Sequence, residues 1–372
     1  MGRRRWLLNL VMPCMILLSV GIAFGQELPD AIHEDAVVVS DGDVSPEQDY
    51  LGVLTGKSAH QVGPEYCWRG SEWLRPFAPC PQRGWKASIE MLILSRSDPN
   101  DLTLVRDATT GDELLNASDL SFSGELGPRF RIQGPLGRRW AFEFGIFGVD
   151  GWRAQALIPG PQLLRLSGPP DANEFALATS PLIDQRSTLG SQEFNLRREV
   201  NNRLSVLGGF RSLQLEEWFS TSTFLTRIYE VSTDNRLYGF QLGADWQLVR
   251  NSRIEIAGFV RAGIFNNDAV AETADPSGIF AFAPQNQLLS ANAQRAAFAG
   301  EAGITGSIRL WDFVWLRGGY QVLHVDSVAL TPDQLPLNEF AVINAPLQAR
   351  AGIDANGDVF YHGATAGLEV RW

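Results

Sequence analysis

The C-terminal segment 359–372 (VFYHGATAGLEVRW) alternates apolar and polar side chains at every second position. Phe360, Leu368 and Trp372 have one parity, whereas Glu369 and Arg371 have the other. A period of two places successive side chains on opposite faces of a β-strand. The segment is therefore predicted to be an amphipathic strand. Its apolar face would meet either a protein core or a lipid bilayer, and the rest of the chain must distinguish the two.

Nine further segments alternate in the same way. They are 85–93, 126–133, 140–147, 191–200, 204–211, 238–246, 254–264, 298–310 and 314–322. Segments of about ten residues are long enough to cross a bilayer as tilted strands, whereas strands in soluble proteins have a modal length of about five to six residues. The apolar loop 278–290 leaves open an extra hairpin, which would raise the strand count from ten to twelve.

The connections between these segments alternate between short and long. The short ones are 135–139, 200–203, 249–253 and 311–312. The long ones are roughly 96–120, 150–190, 217–234, 266–292 and 325–357. In an antiparallel meander, this order places all short turns at one end. Outer-membrane barrels have this asymmetry, with short periplasmic turns and long extracellular loops.

Five tryptophans are placed at the predicted short-turn end. They are Trp85, Trp140, Trp246, Trp311 and Trp372. Because the indole ring favours the membrane–water interface, this placement predicts an interfacial aromatic girdle. A soluble β-sandwich has no reason to collect its tryptophans at one end.

The N-terminus has the three parts of a secretory signal peptide. Basic residues Arg3–Arg5 precede the apolar run 6–24, and Ala23-Phe24-Gly25 has the small-x-small pattern of a cleavage site. We predict a signal peptide over 1–25; an uncleaved anchor is the less favoured alternative, because polar and helix-breaking residues interrupt the run. Residues 26–84 are predicted to form an irregular periplasmic extension or plug, and residues 85–372 the barrel.

Cys67 and Cys80 are the two cysteines that remain after the predicted cleavage. An even pair in an exported chain predicts a disulfide. The sequence around them offers no further ligands, so neither a metal nor a cofactor is expected. The mature chain would contain 28 basic and 42 acidic residues, a net charge of −14, which argues against nucleic acid as a partner.

The polar parity of the strands carries charges of both signs. The set comprises Glu90, Arg129, Arg131, Glu143, Arg197, Arg211, Asp245, Arg261, Glu301, Arg317, Glu369 and Arg371. An eight-stranded barrel is filled by side chains, and open channels are typical of 16 strands or more. We therefore expect a ladder of paired charges across the lumen, which leaves a narrow, weakly selective pore or none. Separately hydrated charges in a wider channel are the alternative.

An outer-membrane hydrolase with a site at the extracellular rim is the competing function class. His324 and His362 would lie near the tops of neighbouring strands, and Asp326 follows His324 by two residues. Both histidines share the parity of the lipid-facing side chains. Amphipathic interfacial histidines are therefore the favoured interpretation.

Several sequence blocks resemble a known family. SIEMLILSRSDP, LGPRFRI, NRLYGFQLGADWQL, RGGYQVLHVDSVALTPDQL and the C-terminal VFYHGATAGLEVRW together are similar to outer-membrane β-barrel porin family 7 of planctomycete-type bacteria. The resemblance covers roughly 85–372 and implies fold and location, with no catalytic residues to carry over. It also implies that Trp372 is part of the C-terminal signature that the barrel-assembly machinery recognises.

The sequence thus predicts an all-β fold, an antiparallel up-and-down transmembrane β-barrel with a short irregular N-terminal extension. The expected location is the outer membrane of a Gram-negative bacterium, with outer-membrane lipid and the barrel-assembly machinery as partners. The expected function is porin-like passive diffusion of small solutes or a structural barrel with a charge-paired lumen. No enzymatic activity is expected.

Overall fold

A computed structural model describes residues 84–159, 164–166, 176–177, 180–223, 227–276, 287–338 and 350–372. The predicted signal peptide, the predicted extension apart from Gly84, and the predicted Cys67–Cys80 disulfide lie outside the described residues. No helix among the described residues is long and apolar enough to cross a membrane.

The described chain is dominated by β-strands. In order they are β1 (Lys86–Arg96), β2 (Thr103–Asp107), β3 (Glu113–Asn116), β4 (Glu125–Pro135), β5 (Trp140–Leu157), β6 (Leu164–Leu166), β7 (Ala176–Leu177), β8 (Leu182–Glu199), β9 (Leu204–Ser222), β10 (Arg227–Arg250), β11 (Ile254–Asp275), β12 (Gln287–Arg309), β13 (Val314–Val328) and β14 (Gly357–Arg371). The short helices are α1 (Thr331–Gln334) and two 3₁₀ turns, Ala117–Asp119 and Leu335–Leu337.

Ten strands form a closed antiparallel barrel in the order β1-β14-β13-β12-β11-β10-β9-β8-β5-β4. The C-terminal strand β14 closes the sheet on β1, from the pair Lys86–Arg371 to the pair Arg96–Tyr361. Neighbours along the chain are neighbours in the barrel, so the topology is up-and-down. The predicted fold class and the count of ten are confirmed, and the twelve-stranded alternative is not what the barrel adopts.

The outward face of the barrel carries a band of exposed apolar side chains. Phe240, Leu242 and Ile264 are 76%, 74% and 73% exposed. On β10 the band runs from Tyr238 to Trp246, nine residues, which is the length of a tilted membrane-crossing strand. Soluble proteins rarely expose a continuous apolar surface of this extent. A closed barrel also leaves no unpaired strand edge in lipid, so the barrel is transmembrane.

The strands extend well past this band at the end away from the short turns. Strand β10 begins at Arg227, and β9 ends at Ser222, so the predicted long connection over 217–234 is wrong. Above the band, the outward residues of β10 become Arg236 and Asp234, which form an ion pair at 2.7 Å. The inward residue Leu237 is completely buried. The two faces therefore exchange polarity where the barrel leaves the membrane.

A second, smaller sheet lies in the loop region. Strands β2, β3, β6 and β7 pair in the order β3-β2-β6-β7. Leu104, Val105 and Leu164 are 0–1% exposed and form its core with neighbouring barrel residues. The strands are too short to show alternation, and the sequence did not predict this sheet.

Candidate functional site: the barrel lumen and mouth

The lower half of the lumen contains ion pairs that join strands across the barrel. Arg261 on β11 donates from Nη1 to both carboxylate oxygens of Glu193 on β8, at 2.7 and 2.8 Å. Its Nη2 donates to Glu143 on β5 at 3.2 Å. These side chains are buried, and their partners are distant in sequence. One guanidinium thus links three strands.

Arg197 extends this group toward the short-turn end. Its Nη1 donates to Glu143 at 2.6 Å, and its Nη2 donates to Asp245. Uncharged amides donate to the same carboxylates: Gln241 donates to Glu193 at 2.8 Å, and Asn195 donates to Glu143 at 3.3 Å. The group is therefore a hydrogen-bonded network.

Two further groups of charges complete the lower lumen. In the first, Arg211 donates to Glu301 at 2.7 Å and to Ser191 at 3.0 Å, fully buried. In the second, Arg317 lies 3.1 Å from Glu90 and 3.0 Å from Glu369.

Arg371 extends the second group on the closing strand. It lies 2.5 Å from Glu369 and 2.8 Å from Glu255, which the predicted site set did not include. Its guanidinium also stacks over Trp315 at 3.9 Å. An arginine held by two carboxylates and a ring is well compensated for its burial.

Two arginines of the predicted set are not closely paired. Arg129 is buried with its guanidinium over the ring of Phe147 at 5.1 Å. Arg131 approaches Glu193 only to 3.9 Å. The structure thus brings ten of the twelve predicted residues into close ion pairs and leaves these two at the inner end of the network.

An apolar layer fills the barrel above the charges. Its buried inward side chains include Leu92, Leu94, Phe147, Val149, Leu189, Leu213, Leu215, Phe265, Ala297, Ala299, Leu323, Val325, Val359 and Tyr361. Trp152 packs against Tyr361 with ring centroids 5.2 Å apart and donates its indole N–H to the Leu94 carbonyl at 3.0 Å. These side chains form one core cluster, so the lumen of the described chain is closed at this level.

This layer was not predicted from the alternation of the strands. Leu92 and Leu94 follow Glu90 at the same parity, so the inward face of β1 turns apolar within one strand. The two leucines stand where polar side chains were expected. They are the feature of the sequence that indicates the apolar layer. The predicted charge ladder therefore occupies only the lower lumen.

A loop folded into the barrel mouth closes the lumen a second time. We call residues 329–338, which follow β13, the mouth loop. The Asn235 side chain on β10 binds both backbone groups of Ala329: it donates to the carbonyl at 2.8 Å and accepts from the amide at 2.7 Å. Glu217 on β9 accepts from the amide and the hydroxyl of Thr331, at 2.9 and 3.2 Å. Arg96 on β1 pairs with the same carboxylate.

The second half of the mouth loop is held by amide side chains. Gln334 donates to the Asp354 carbonyl at 2.7 Å and accepts from the Asp354 amide at 2.8 Å. Asn338 donates to Thr273 on β11 at 2.9 Å. Burial, together with the charges of Asp354 and Glu217, raises the pKa of Asp333 in this loop to about 6. Buried hydrogen bonds thus join the mouth loop to the barrel wall. The surroundings of the Asp333 carboxyl group disfavour its ionised form.

The five tryptophans of the predicted girdle are exposed at the short-turn end of the barrel. Their exposed fractions lie between 38% and 65%. Trp372 stacks on Trp85 with centroids 6.4 Å apart, and its amide donates to the Trp85 carbonyl at 3.0 Å. Arg198 lies over the Trp140 ring at 5.4 Å. The first and last residues of the barrel are therefore in direct contact.

The histidines lie on the outward face near the upper edge of the apolar band. The ring of His324 is 3.4 Å from Asp358, while Asp326 accepts from the Phe298 amide at 3.1 Å. His362 contacts the Tyr320 hydroxyl at 2.7 Å. The structure therefore does not bring His324 and Asp326 together as a dyad. Among the described residues, no group of three or more His, Cys, Asp or Glu side chains has the geometry to hold a metal ion.

Comparisons with known proteins complete the description. No protein-family model matches the chain, and no curated protein sequence is significantly similar to it. The resemblance to porin family 7 therefore stays a prediction.

Solved outer-membrane barrels are similar in fold. The outer membrane protease OmpT from Escherichia coli is 9% identical, over 78% of this chain and 98% of that chain, with a TM-score of 0.48. The translocator domain of the autotransporter NalP from Neisseria meningitidis is 11% identical, over 78% and 90%, with a TM-score of 0.38. The toluene transporter TbuX from Ralstonia pickettii is 10% identical, over 78% and 90%, with a TM-score of 0.33. At these values the likenesses carry no inference about activity.

Proposed function

We propose that the protein is an outer-membrane β-barrel with a structural role and a closed lumen. Its location is supported by the closed sheet, the outward apolar band and the tryptophans at the short-turn end, because a barrel inserted from the periplasm keeps its short turns on that side. In this orientation the mouth loop and the small sheet face the cell exterior. The barrel then acts as a rigid support for that surface.

The observation that carries the proposal is the apolar layer in the lumen. An ion or a polar solute crossing it would lose its hydration without gaining polar partners, which is strongly unfavourable. The buried charge network below and the mouth loop above add two further obstacles. A passive pore would need a polar path past all three levels.

Single-channel recording of the refolded chain in planar bilayers tests this proposal. We expect no steady open conductance. Replacing Phe147 and Phe265 by Ala removes two rings from the apolar layer and should produce measurable leak. Replacing the outward Phe194 and Phe240 by Ala is the matched control and should not. A large, steady conductance of the unmodified chain would exclude the closed barrel and favour the porin.

We also propose that the chain is not an enzyme. His324 contacts Asp358 on the outward face, and both side chains are exposed there. Neither peptidase nor lipase activity is expected in the refolded sample. An activity that His324→Ala abolished would instead support the rim hydrolase.

A further inference from the structure

The short-turn end of the barrel opens into a cavity, which we call the turn-end vestibule. Its outer chamber has a cavity volume of about 130 Å³ and opens to solvent, and an inner chamber of about 110 Å³ continues toward the lumen. Lys86, Arg197 and Asp245 line both chambers. The apolar layer lies above, so the vestibule is accessible from the turn side.

The outer chamber has an excess of positive charge. Its lining contains the cationic side chains Lys86, Arg138, Arg139, Arg197, Arg203 and Arg250. Its acidic side chains are Glu199, Asp245 and Glu255. In a chain with a net charge of −11, a cavity with twice as many cations as anions is a local reversal of sign. Low-dielectric walls concentrate such a potential within a cleft.

Four of these cations have no close carboxylate partner. Arg197 pairs with Glu143, and Arg250 lies 3.6 Å from Glu255. Among the residues that the structure describes, no carboxylate lies within 4.0 Å of Lys86, Arg138, Arg139 or Arg203, in contrast to the matched arginines deeper in the lumen. The outer chamber therefore has cations without a close counter-charge, whereas the deeper arginines named above are in close ion pairs.

The backbone that carries these cations is well ordered by hydrogen bonds. The backbone amide of Glu199 donates to the Arg139 carbonyl at 2.9 Å, and that of Gln247 donates to the Arg203 carbonyl at 2.7 Å. These bonds join each turn to the neighbouring strand. The Asn201 side chain accepts from the amide of Arg203 at 2.8 Å. Gly137 adopts a φ of +139°, a conformation that other residues avoid, just before Arg138. Hydrogen bonds thus fix the backbone positions of these residues, while the side chains of Arg138, Arg139 and Arg203 are exposed.

We propose that the turn-end vestibule is a binding site for a compact, multivalent oxyanion that enters from the turn side. Guanidinium groups bind phosphate and carboxylate oxygens through two parallel hydrogen bonds, and an ammonium group adds a point charge. This function goes beyond the proposed structural role, which requires no ligand. A soluble anion fits better than a lipid headgroup, because the cations line a cavity that opens to water.

Isothermal titration of the full refolded chain with inorganic tripolyphosphate tests the site. The protein is held in nanodiscs of zwitterionic lipid at low salt, and saturable binding with one anion per barrel is expected. Replacing Arg138, Arg139 and Arg203 by Gln should weaken binding at least about tenfold, because each substitution removes charged hydrogen-bond donors. All three residues lie in exposed turns, so the barrel should still fold, and gel mobility before and after boiling checks this.

The matched control replaces Arg153, Arg186 and Arg236 by Gln. These arginines lie on the outward face beyond the apolar band and are 41–54% exposed, so the control changes net charge equally. It should retain the affinity of the unmodified chain. Absence of tripolyphosphate binding, or an equal loss in both triple variants, would overturn the proposal. A large loss in nanodiscs with anionic phospholipid would also overturn it, since headgroups would then be the occupant.

Discussion

At the scale of single residues, Arg261 is the centre of the luminal network. It binds Glu193 and Glu143 together, and all three side chains are buried. The sequence predicted that Arg261 and Glu143 would share the lumen, because parity assigns a face. It did not predict the pairing, because the partners come from strands that are distant in the chain and approach only when the barrel closes.

Arg261→Met should therefore destabilise the barrel by about 3–5 kcal/mol, because removing one partner leaves buried charges uncompensated. Urea unfolding in lipid vesicles, followed by tryptophan fluorescence, measures the change. Arg153→Met is the matched control. Its pair with Asp184 is half exposed and should be worth about 0–1 kcal/mol. Equal effects of the two substitutions would show that the luminal network does not stabilise the fold.

At the scale of elements, the sequence located all ten barrel strands but ended most of them too close to the membrane at the upper side. The prediction for β10 began at Tyr238, whereas the strand begins at Arg227. The reason is physical: alternation continues, but outward residues become polar and inward residues apolar once the strand leaves the membrane. The mouth loop was likewise not predicted, because its anchors Glu217 and Asn235 lie in or next to the segment 217–234, which was predicted to be a loop and not barrel wall.

The mouth loop should become less stable as pH rises. The pKa of Asp333 is raised by burial and by nearby negative charges, principally Asp354 and Glu217 and, more weakly, Asp358, while Asn100 donates to it. The docked loop favours the protonated acid, so this contribution is fully present below the ordinary aspartate pKa of 3.8 and is lost as pH rises through about 6.

Hydrogen exchange of the mouth-loop amides, corrected for intrinsic rates, measures this effect. Protection should fall between about pH 4 and pH 7 in the unmodified chain. Asp333→Asn should flatten the profile. Asp98→Asn, in an exposed loop position, should leave it unchanged. If Asp333→Asn kept the full pH dependence, another group would be responsible.

At the scale of the whole molecule, closure depends on the contact between the first and last strands. Trp372 stacks on Trp85 at the point where β14 meets β1. The sequence predicted the exposed aromatic at this end, but the direct partner came only from the closed register. The small sheet outside the barrel, by contrast, consists of strands with two to five residues, too short to be recognised by periodicity.

Deleting Trp372 should impair membrane insertion more than deleting Thr110, an exposed turn residue in the loop region. The deletion removes the ring stack, the backbone bond to Trp85 and the predicted assembly signal together. The amount of boiling-sensitive, membrane-embedded barrel in cells measures insertion. Equal insertion of the two deletion variants would argue against a special role for the C-terminal residue.

The exchange of polarity along the strands also protects the barrel against misalignment. If a strand such as β10 slipped by one residue, its membrane half would turn Asp245 toward lipid. Its upper half would at the same time turn Leu237 toward water and Arg236 into the core. Because the two halves have opposite patterns of polarity, a shift by one residue is unfavourable in both. The register of the strand is thus specified twice, once in the membrane and once outside it.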